Sequence, residues 1–514
     1  MKLKSSDVTL MKLPACAFVF AALAFAQATP ANITCPAPGA GCRLALPATG
    51  AYLGIFADPA FKDSCTGPIN GTPECAIEVR EGPAPPPVAN LGIGRTFALH
   101  MTFPGWSSIP TVLAGNPTCD PEGPVNDFCQ DFWHGRVPVI GWACDSSSTT
   151  GYTSPQGLPD TNRAVIAGAE DSVIVAAAQA LAQYPGPVLL RWFWEFNQLE
   201  SQNQNCTGYN LPGSPPNLLP SWVYSQFIGA WQHIWNIFHE YGGGNVMFVW
   251  DPNNYTPGEW TDPHPYYPGS PYVDWIGIDT FQRATSDTFT SNFEQFYQDF
   301  SGIDPATGQP YGKPLMVGAN GSQNYFDNNP GPCPLPEPCP LGTELQSTYL
   351  AGLLDDLGYG HPKDNLYPLL KAYDYFDSVG NVNWVLDSPF CFTCHPSGPV
   401  LGGLWEMAIL GSTPQFKATP QVCSVSLNPS AVSVAYGQAV GLTINVETST
   451  PNCPWSVGAL PSWITLESAQ SQGQGQNLGP LGPGTVTLHA DAPDTANSPI
   501  YVYIGGATLT IQVH

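Results

Sequence analysis

A (β/α)8 TIM barrel followed by a small all-β sandwich is the fold class this sequence predicts, and three observations predict it. Eight short apolar runs alternate with amphipathic stretches between residues 51 and 413. Helical patterning stops near residue 421, where short alternating runs between Gly- and Pro-rich turns take over. The length, 514 residues, exceeds one ordinary domain.

The apolar runs fall at 51–56, 96–103, 137–142, 188–193, 246–250, 273–279, 314–318 and 369–375. Each is continuous, as expected for parallel strands buried on both faces. Between them, 162–183 is Ala-rich and ends at Pro185. The stretch 221–241 carries Trp222, Phe227, Ile228, Trp231, Ile234, Trp235 and Phe238 at helical spacing and stops at three glycines, 242–244. Helices are also expected at 290–300 and 343–357. Eight strands with interposed helices point to a closed barrel more than to an open sheet. Beyond it, strands at 431–434, 440–446, 463–466, 485–490 and 507–513 make a sandwich of immunoglobulin size. The expected organisation is a signal peptide at 1–28, a barrel at 29–415 and a sandwich at 421–514.

The signal peptide is read from Met11-Lys12, an apolar run over 15–25, and small residues at Ala24, Ala26 and Ala28. That run is too short to span a bilayer, and no other segment reaches about 18 apolar residues. A secreted protein, extracellular or periplasmic, is expected. Cysteine usage agrees. Setting aside Cys16 in the leader leaves an even number of the 15, many in loops: Cys35, Cys42, Cys65, Cys75, Cys119, Cys129, Cys333 and Cys339. Loop-stapling disulfides in an oxidising compartment give this pattern. Fifteen Lys and Arg against 40 Asp and Glu give a net charge of −25, which repels nucleic acid and anionic lipid. A neutral polymer remains acceptable as a partner, and a monomer is the expected state.

The informative stretch is Pro187-Val-Leu-Leu-Arg191-Trp-Phe-Trp194-Glu195-Phe-Asn197. A buried strand delivers a Glu at its C-terminal end, which in a barrel is the active-site face. A carboxylic acid there, its pKa raised by apolar neighbours, suits protonation of a glycosidic oxygen. Arg191 and Asn197 are expected to organise it and to contact substrate. Flat rings stack on sugars, so Trp106, Trp142, Trp194, Trp250, Trp260, Tyr266 and Tyr267 are candidate substrate contacts.

The run Arg191-x-x-x-Glu195-x-Asn197 resembles the acid/base motif of glycoside hydrolase family 26, the β-mannanase family. Further matches follow in order: Val246 to Asn253, Tyr267 to Asp279, and Tyr375-Phe376 with Asn383-Trp384. The resemblance implies a barrel that cleaves a neutral β-linked polysaccharide, mannan-like, with Glu195 as general acid. Two departures stand out. Trp194 replaces the His that usually precedes the acid in that family. Along 313–322, the position of the family's nucleophilic Glu falls on Ala319. A retaining mechanism needs two carboxyls about 5–5.5 Å apart. Three readings follow: Asp279, ahead of Asp251, serves as base in an inverting reaction; the barrel binds sugar without cleaving it; or another Glu serves, Glu259 in the loop after the fifth strand, while Glu406 is expected to face solvent on the last helix.

The C-terminal stretch resembles a BACON-type β-sandwich through Cys423, Cys453-Pro-Trp455, Pro461-Ser-Trp463 and Gly505-Gly506, and this implies a Cys423–Cys453 disulfide. Cys391-Phe-Thr-Cys394-His395 has c-type haem spacing, but no second axial ligand accompanies it, so disulfide chemistry is expected. No metal motif is found among the nine His. No cofactor and no metal are expected. Asn32, Asn70, Asn205, Asn254 and Asn320 lie in glycosylation sequons.

Overall fold

The computed structural model describes residues 33–36, 40–57, 62, 70–81, 95–144, 151–198, 204–209, 219–254, 262–282, 286–322, 342–358, 365–378, 415–474, 478–496 and 498–514. Residues 1–28, Cys65, Glu259, Trp260, Cys333, Cys339, Asn383, Trp384, Cys391, Cys394, His395 and Glu406 lie outside them.

Eight parallel strands close a barrel. They are β2 (Ala51–Ala57), β3 (Leu99–Thr102), β4 (Val137–Trp142), β5 (Val188–Trp192), β6 (Val246–Trp250), β7 (Trp275–Gln282), β8 (Leu315–Ser322) and β9 (Leu370–Asp377). They hydrogen-bond in sequence order, and β9 closes on β2 from Tyr52↔Ala372 to Ala57↔Asp377. The two-residue β10 (Phe416–Lys417) adds to the start of β2. The described helices are α1 (Pro73–Glu81), α2 (Ile109–Val112), α3 (Asp127–His134), α4 (Thr161–Ile166), α5 (Asp171–Gln183), α6 (Gln204–Thr207), α7 (Ser221–Tyr241), α8 (Phe289–Phe300) and α9 (Gly342–Asp356).

All eight expected strands are present, within a few residues at their ends. The expected helix at 162–183 is two helices, because the chain turns at Gly168, which has φ +77°. α7 ends at Gly242, whose N–H is received by the Phe238 carbonyl, and it buries Phe227, Trp231, Ile234 and Phe238 against the barrel. α8 starts with a reciprocal capping box between Thr288 and Ser291.

The sandwich holds β11 (Val422–Asn428), β12 (Ala431–Val434), β13 (Ala439–Thr448), β14 (Ile464–Gln474), β15 (Pro480–Asp491), β16 (Ile500–Ile504) and β17 (Ala507–Val513). One sheet has the order β1 (Gly41–Leu44), β11, β13, β15, β14 and the other β12, β17, β16. Val425, Ile444, Val486, Leu488, Val502 and Ile511 fill the space between them. Cys423 is bonded to Cys453. The remaining described pairs are Cys35–Cys42, Cys119–Cys129 and Cys144–Cys206.

One strand of the first sheet, β1 (Gly41–Leu44), comes from the other end of the chain and pairs antiparallel with β11. It also ties the sandwich to the barrel floor. Cys42 N–H donates to the Gly244 carbonyl at 2.8 Å, and the Arg43 guanidinium to the Val246 carbonyl at 3.1 Å. Across the seam, Gly479 N–H donates to the Gly312 carbonyl at 2.8 Å. Val246, Asp274 and Lys313 all lie at the N-terminal ends of barrel strands, so the sandwich covers the face opposite the strand C-termini. Burial pushes the Lys313 ammonium down to about 8, against the pull of Asp274.

A variant truncated after Pro420 strips β1 of its partner and uncovers the floor. It is expected to melt about 5 °C below the full chain, the shift that a loss of several kcal/mol produces in a barrel of this size. Thermal unfolding followed by circular dichroism checks this, and an unchanged midpoint would show the sandwich to be a dispensable appendage.

Candidate active site

Strand alternation decides which side chains enter the barrel. On β5, Arg191 points inward and Trp192 outward, stacked on Phe227 of α7 with ring centroids 5.8 Å apart. Beyond β5 the chain makes an irregular turn. Phe193 and Glu195 take left-handed backbone conformations, with φ of 51° and 56°. Among the described residues, Cys119 is the one other non-glycine residue with positive φ. Such residues cost roughly 1–3 kcal/mol each and persist where the surroundings enforce them. Here they do. Phe193 N–H donates to the Trp142 carbonyl at 3.0 Å, and Glu195 N–H to the Asp251 carbonyl at 2.9 Å. Asn197 is fully buried and clasps Asn253 both ways: its amide donates to the Asn253 carbonyl at 3.0 Å, and its oxygen accepts Asn253 N–H at 2.9 Å.

The strained turn holds Glu195 half-buried at the C-terminal end of the barrel. The Asn253 side-chain amide donates to Glu195 Oε1. That donor fixes the carboxyl in place at the mouth.

Beside Glu195 the mouth is aromatic. Phe56 stacks on Phe376 at 4.8 Å, Phe103 meets Phe56 at 5.1 Å and Trp194 at 5.0 Å, and Phe281 meets Phe376 at 5.9 Å. These rings come from the C-terminal ends of β2, β3, β5, β7 and β9. Of the described aromatic candidates named from sequence, Trp194 is the one brought to this mouth. Trp142 and Trp250 are fully buried and face the helices. Trp142 stacks on Trp106 at 4.5 Å, and Trp250 packs on Phe196, Tyr267 and Phe300. Their expected role in stacking on substrate is therefore revised to core packing, as it is for Trp106 and Tyr266, both buried. Tyr267 is half-buried and bonds Ser270.

Beneath Glu195 lies a buried charge cluster. Arg191, fully buried, pairs with Asp251 and Asp279 and donates to the Gly318 carbonyl at 3.2 Å. It organises aspartates, and the equally buried Asn197 clasps Asn253, so the substrate contacts expected of both are revised to positioning. Asp374 completes the cluster, and glycines make room for it. A Cβ on Gly54 would overlap the Asp374 carboxyl, and one on Gly318 would press on Asp251. Three carboxyls face one guanidinium. Burial pushes Asp279 and Asp374 well above the usual carboxylate range and raises Asp251, against the lowering pull of Arg191. The charges of Asp251 and Glu195 add to the rise at Asp279. Asp279 is 2% exposed. Beside it in register stands Ala319, also buried, so β8 brings no carboxylate to the mouth. Asn320, a sequon residue, is fully buried between Tyr349 and Tyr373, out of reach of a glycan.

Among the described residues, none donates a hydrogen bond to either Asp374 oxygen. Its raised pKa means that the folded state keeps a proton that the unfolded chain releases above about pH 4. The stability this contributes is full below that pH and is lost as pH climbs through the folded value. Asp374→Asn cannot ionise, so it is expected to melt higher than the parent at pH 8 and near it at pH 4. Melting curves at both pH values check this. A variant less stable at pH 8 would show that the charge is needed.

Sequence reading missed Phe56, Phe103 and Phe281, and gave Asn253 no role. The available signal was an aromatic residue at or just past the end of successive strands.

No family model matches the sequence. An endoglucanase H from Acetivibrio thermocellus is 33% identical over 91 residues, 18% of this chain and 10% of that protein, so the match spans about a tenth of the relative's length. Among solved structures, a GH26 β-mannanase from Bacteroides ovatus is similar at 13% identity and a TM-score of 0.40, covering 72% of this chain and 91% of that one. A modular endo-β-1,4-mannanase from Cellulomonas fimi is similar at 15% identity and a TM-score of 0.42, covering 90% and 94%. The catalytic domain of a GH26 endo-β-1,4-mannanase from Bacillus sp. JAMB-750 is similar at 15% identity and a TM-score of 0.42, covering 72% and 88%.

Proposed function

We propose that this protein is a secreted glycoside hydrolase acting on a neutral β-linked polysaccharide, mannan-like, with Glu195 as its general acid. The observation that carries the reading is the strained turn after β5, which holds Glu195 at the barrel mouth with Asn253 on one carboxyl oxygen. Strain of this kind is maintained where a side chain must be aimed. The neighbouring aromatic floor supports a sugar ring as the ligand, because ring faces stack on the apolar faces of pyranoses. The acidic surface supports an uncharged polymer.

In this reading Glu195 gives its proton to the leaving glycosidic oxygen. Asp279 is the second carboxyl and takes a proton from the attacking water, giving inversion. Its raised pKa makes it a stronger base than an exposed aspartate. Asn197 and Arg191 act as positioning residues, the first through Asn253 and the second through Asp251 and Asp279.

One observation favours a second reading, a barrel that binds polysaccharide without cleaving it. The β8 position next to Asp279 is Ala319, and Asp279 itself is buried against Arg191. Reducing-sugar release from mannan, glucomannan, xylan and mixed-linkage β-glucan, measured alongside binding to each, separates the two. Release that is lost in Asp279→Asn supports the hydrolase. Binding without release from any polymer supports the sugar reader and overturns the hydrolase.

A further inference from the structure

Where the sandwich meets the barrel floor, at the end of the barrel away from Glu195, lies a cavity of about 390 Å3, its opening included. Three parts of the chain wall it. β1 supplies Arg43, the approaches to β7 and β8 supply Asp274 and Lys313, and the sandwich supplies Trp455 and Leu481. Among the described residues, Arg43, Asp274 and Lys313 are the charged groups of its lining. Two cations face one carboxylate, a local surplus of positive charge in a chain of net charge −25.

The carboxylate and the guanidinium are already engaged. Asp274 accepts the Phe248 N–H at 2.8 Å and meets Arg43 at 3.6 Å. Arg43 also donates to the Val246 carbonyl at 3.1 Å. Lys313 differs. It is 5% exposed, and among the described residues it makes no hydrogen bond and no ion pair. A buried ammonium in that condition is costly, because it has given up water without gaining an acceptor. Burial and the charge of Arg43 both disfavour its protonated form.

An anion in the cavity would supply the acceptor and cancel the surplus charge. The rest of the wall narrows the kind of anion. Met247, Trp455 and Leu481 give an apolar side beside the ammonium, and the Trp455 indole N–H is taken by the Gly482 carbonyl at 2.7 Å. A single charged head with a short apolar tail matches this lining. A bare halide leaves the apolar side unused, and a divalent oxyanion brings more charge than the one surplus cation offsets.

We propose that this cavity binds a small monocarboxylate anion, its oxygens on the Lys313 ammonium, and that the bound anion fastens the sandwich to the barrel floor. The site is independent of the chemistry at Glu195.

The test uses the full-length protein with sodium acetate as the probe and sodium chloride at equal ionic strength as the comparison. Acetate is expected to raise the melting midpoint saturably, by about 2–3 °C at roughly a hundredfold its Kd, and chloride to raise it less. Line broadening of 13C-acetate measures binding directly. Lys313→Met keeps the apolar stem and removes the charge. It is expected to melt no lower than the parent without acetate and to bind acetate about tenfold or more weakly, the usual worth of a hydrogen bond to a charged group. Ser456→Asp sets a carboxylate on the same wall and is expected to abolish the acetate-dependent rise, which keeps the test decisive if Lys313→Met fails to fold. Absence of saturable acetate binding by the parent overturns the proposal. So does an equal rise with chloride, or undiminished acetate binding by either variant in its folded form.

Discussion

Glu195→Gln is expected to lower polysaccharide hydrolysis by about 10²–10⁴-fold, the usual worth of a positioned general acid. The amide is isosteric and keeps an oxygen to accept from Asn253, so the strained turn stays in place and affinity for the polymer is preserved. The loss therefore falls on kcat, with KM little changed. An aryl glycoside whose leaving group needs no protonation would recover much of the rate. Turnover by Glu195→Gln at the parental rate on the polymer would remove Glu195 from the acid's role.

Arg191→Met is expected to cost about 3–5 kcal/mol of stability near neutral pH, the effect of taking one partner from a buried ion pair. Arg191 faces Asp251, Asp279 and Asp374 with no exposed surface of its own. Without it, these carboxyls must hold protons in order to stay buried, and near neutral pH that opposes folding. The sign with pH follows. The raised folded pKa values mean that the stability from these groups is complete below about pH 4 and fades as pH rises. The deficit of Arg191→Met is therefore largest above neutrality and shrinks in acid. Denaturant unfolding at pH 4.5 and pH 8 measures it, and an equal deficit at both would show that the lost stability is packing rather than charge.

The barrel was legible because its strands are buried on both faces and read as continuous apolar runs. The same property hid the inside from the outside. In 137–142 and 246–250 every residue is buried, and hydropathy carries no mark of which side chains enter the barrel. Trp142 and Trp250 looked like cleft residues for that reason, although alternation turns both toward the helices. Glu195 was legible because a charged residue ending an apolar run is conspicuous. Its left-handed backbone and its bond from Asn253 were not, since both arise from segments that meet only after folding. β7 and β8 extend three and four residues beyond their expected ends. The small and polar residues there, Asn320 to Ser322 among them, are satisfied by partners on neighbouring strands. The sandwich strand β11 was masked by Ser424, Ser426 and Asn428, which face solvent.

The pairing of β1 with β11 also bears on the order in which the molecule can be assembled. A ribosome makes β1 before the barrel strands and β11 only after all of them. Until then β1 has no ladder partner, and the barrel floor lies uncovered. Contacts this distant in sequence form late and slowly, because loop closure is costly before they can reward it. The later-made module thus acts as a clasp on the earlier-made strand. During synthesis, the nearly finished barrel would present an open strand edge and an uncovered floor, a period in which it is prone to association with other chains. Exchanging the sandwich for another module would require moving residues 41–44 with it, so a graft at the junction alone would transplant an incomplete sheet.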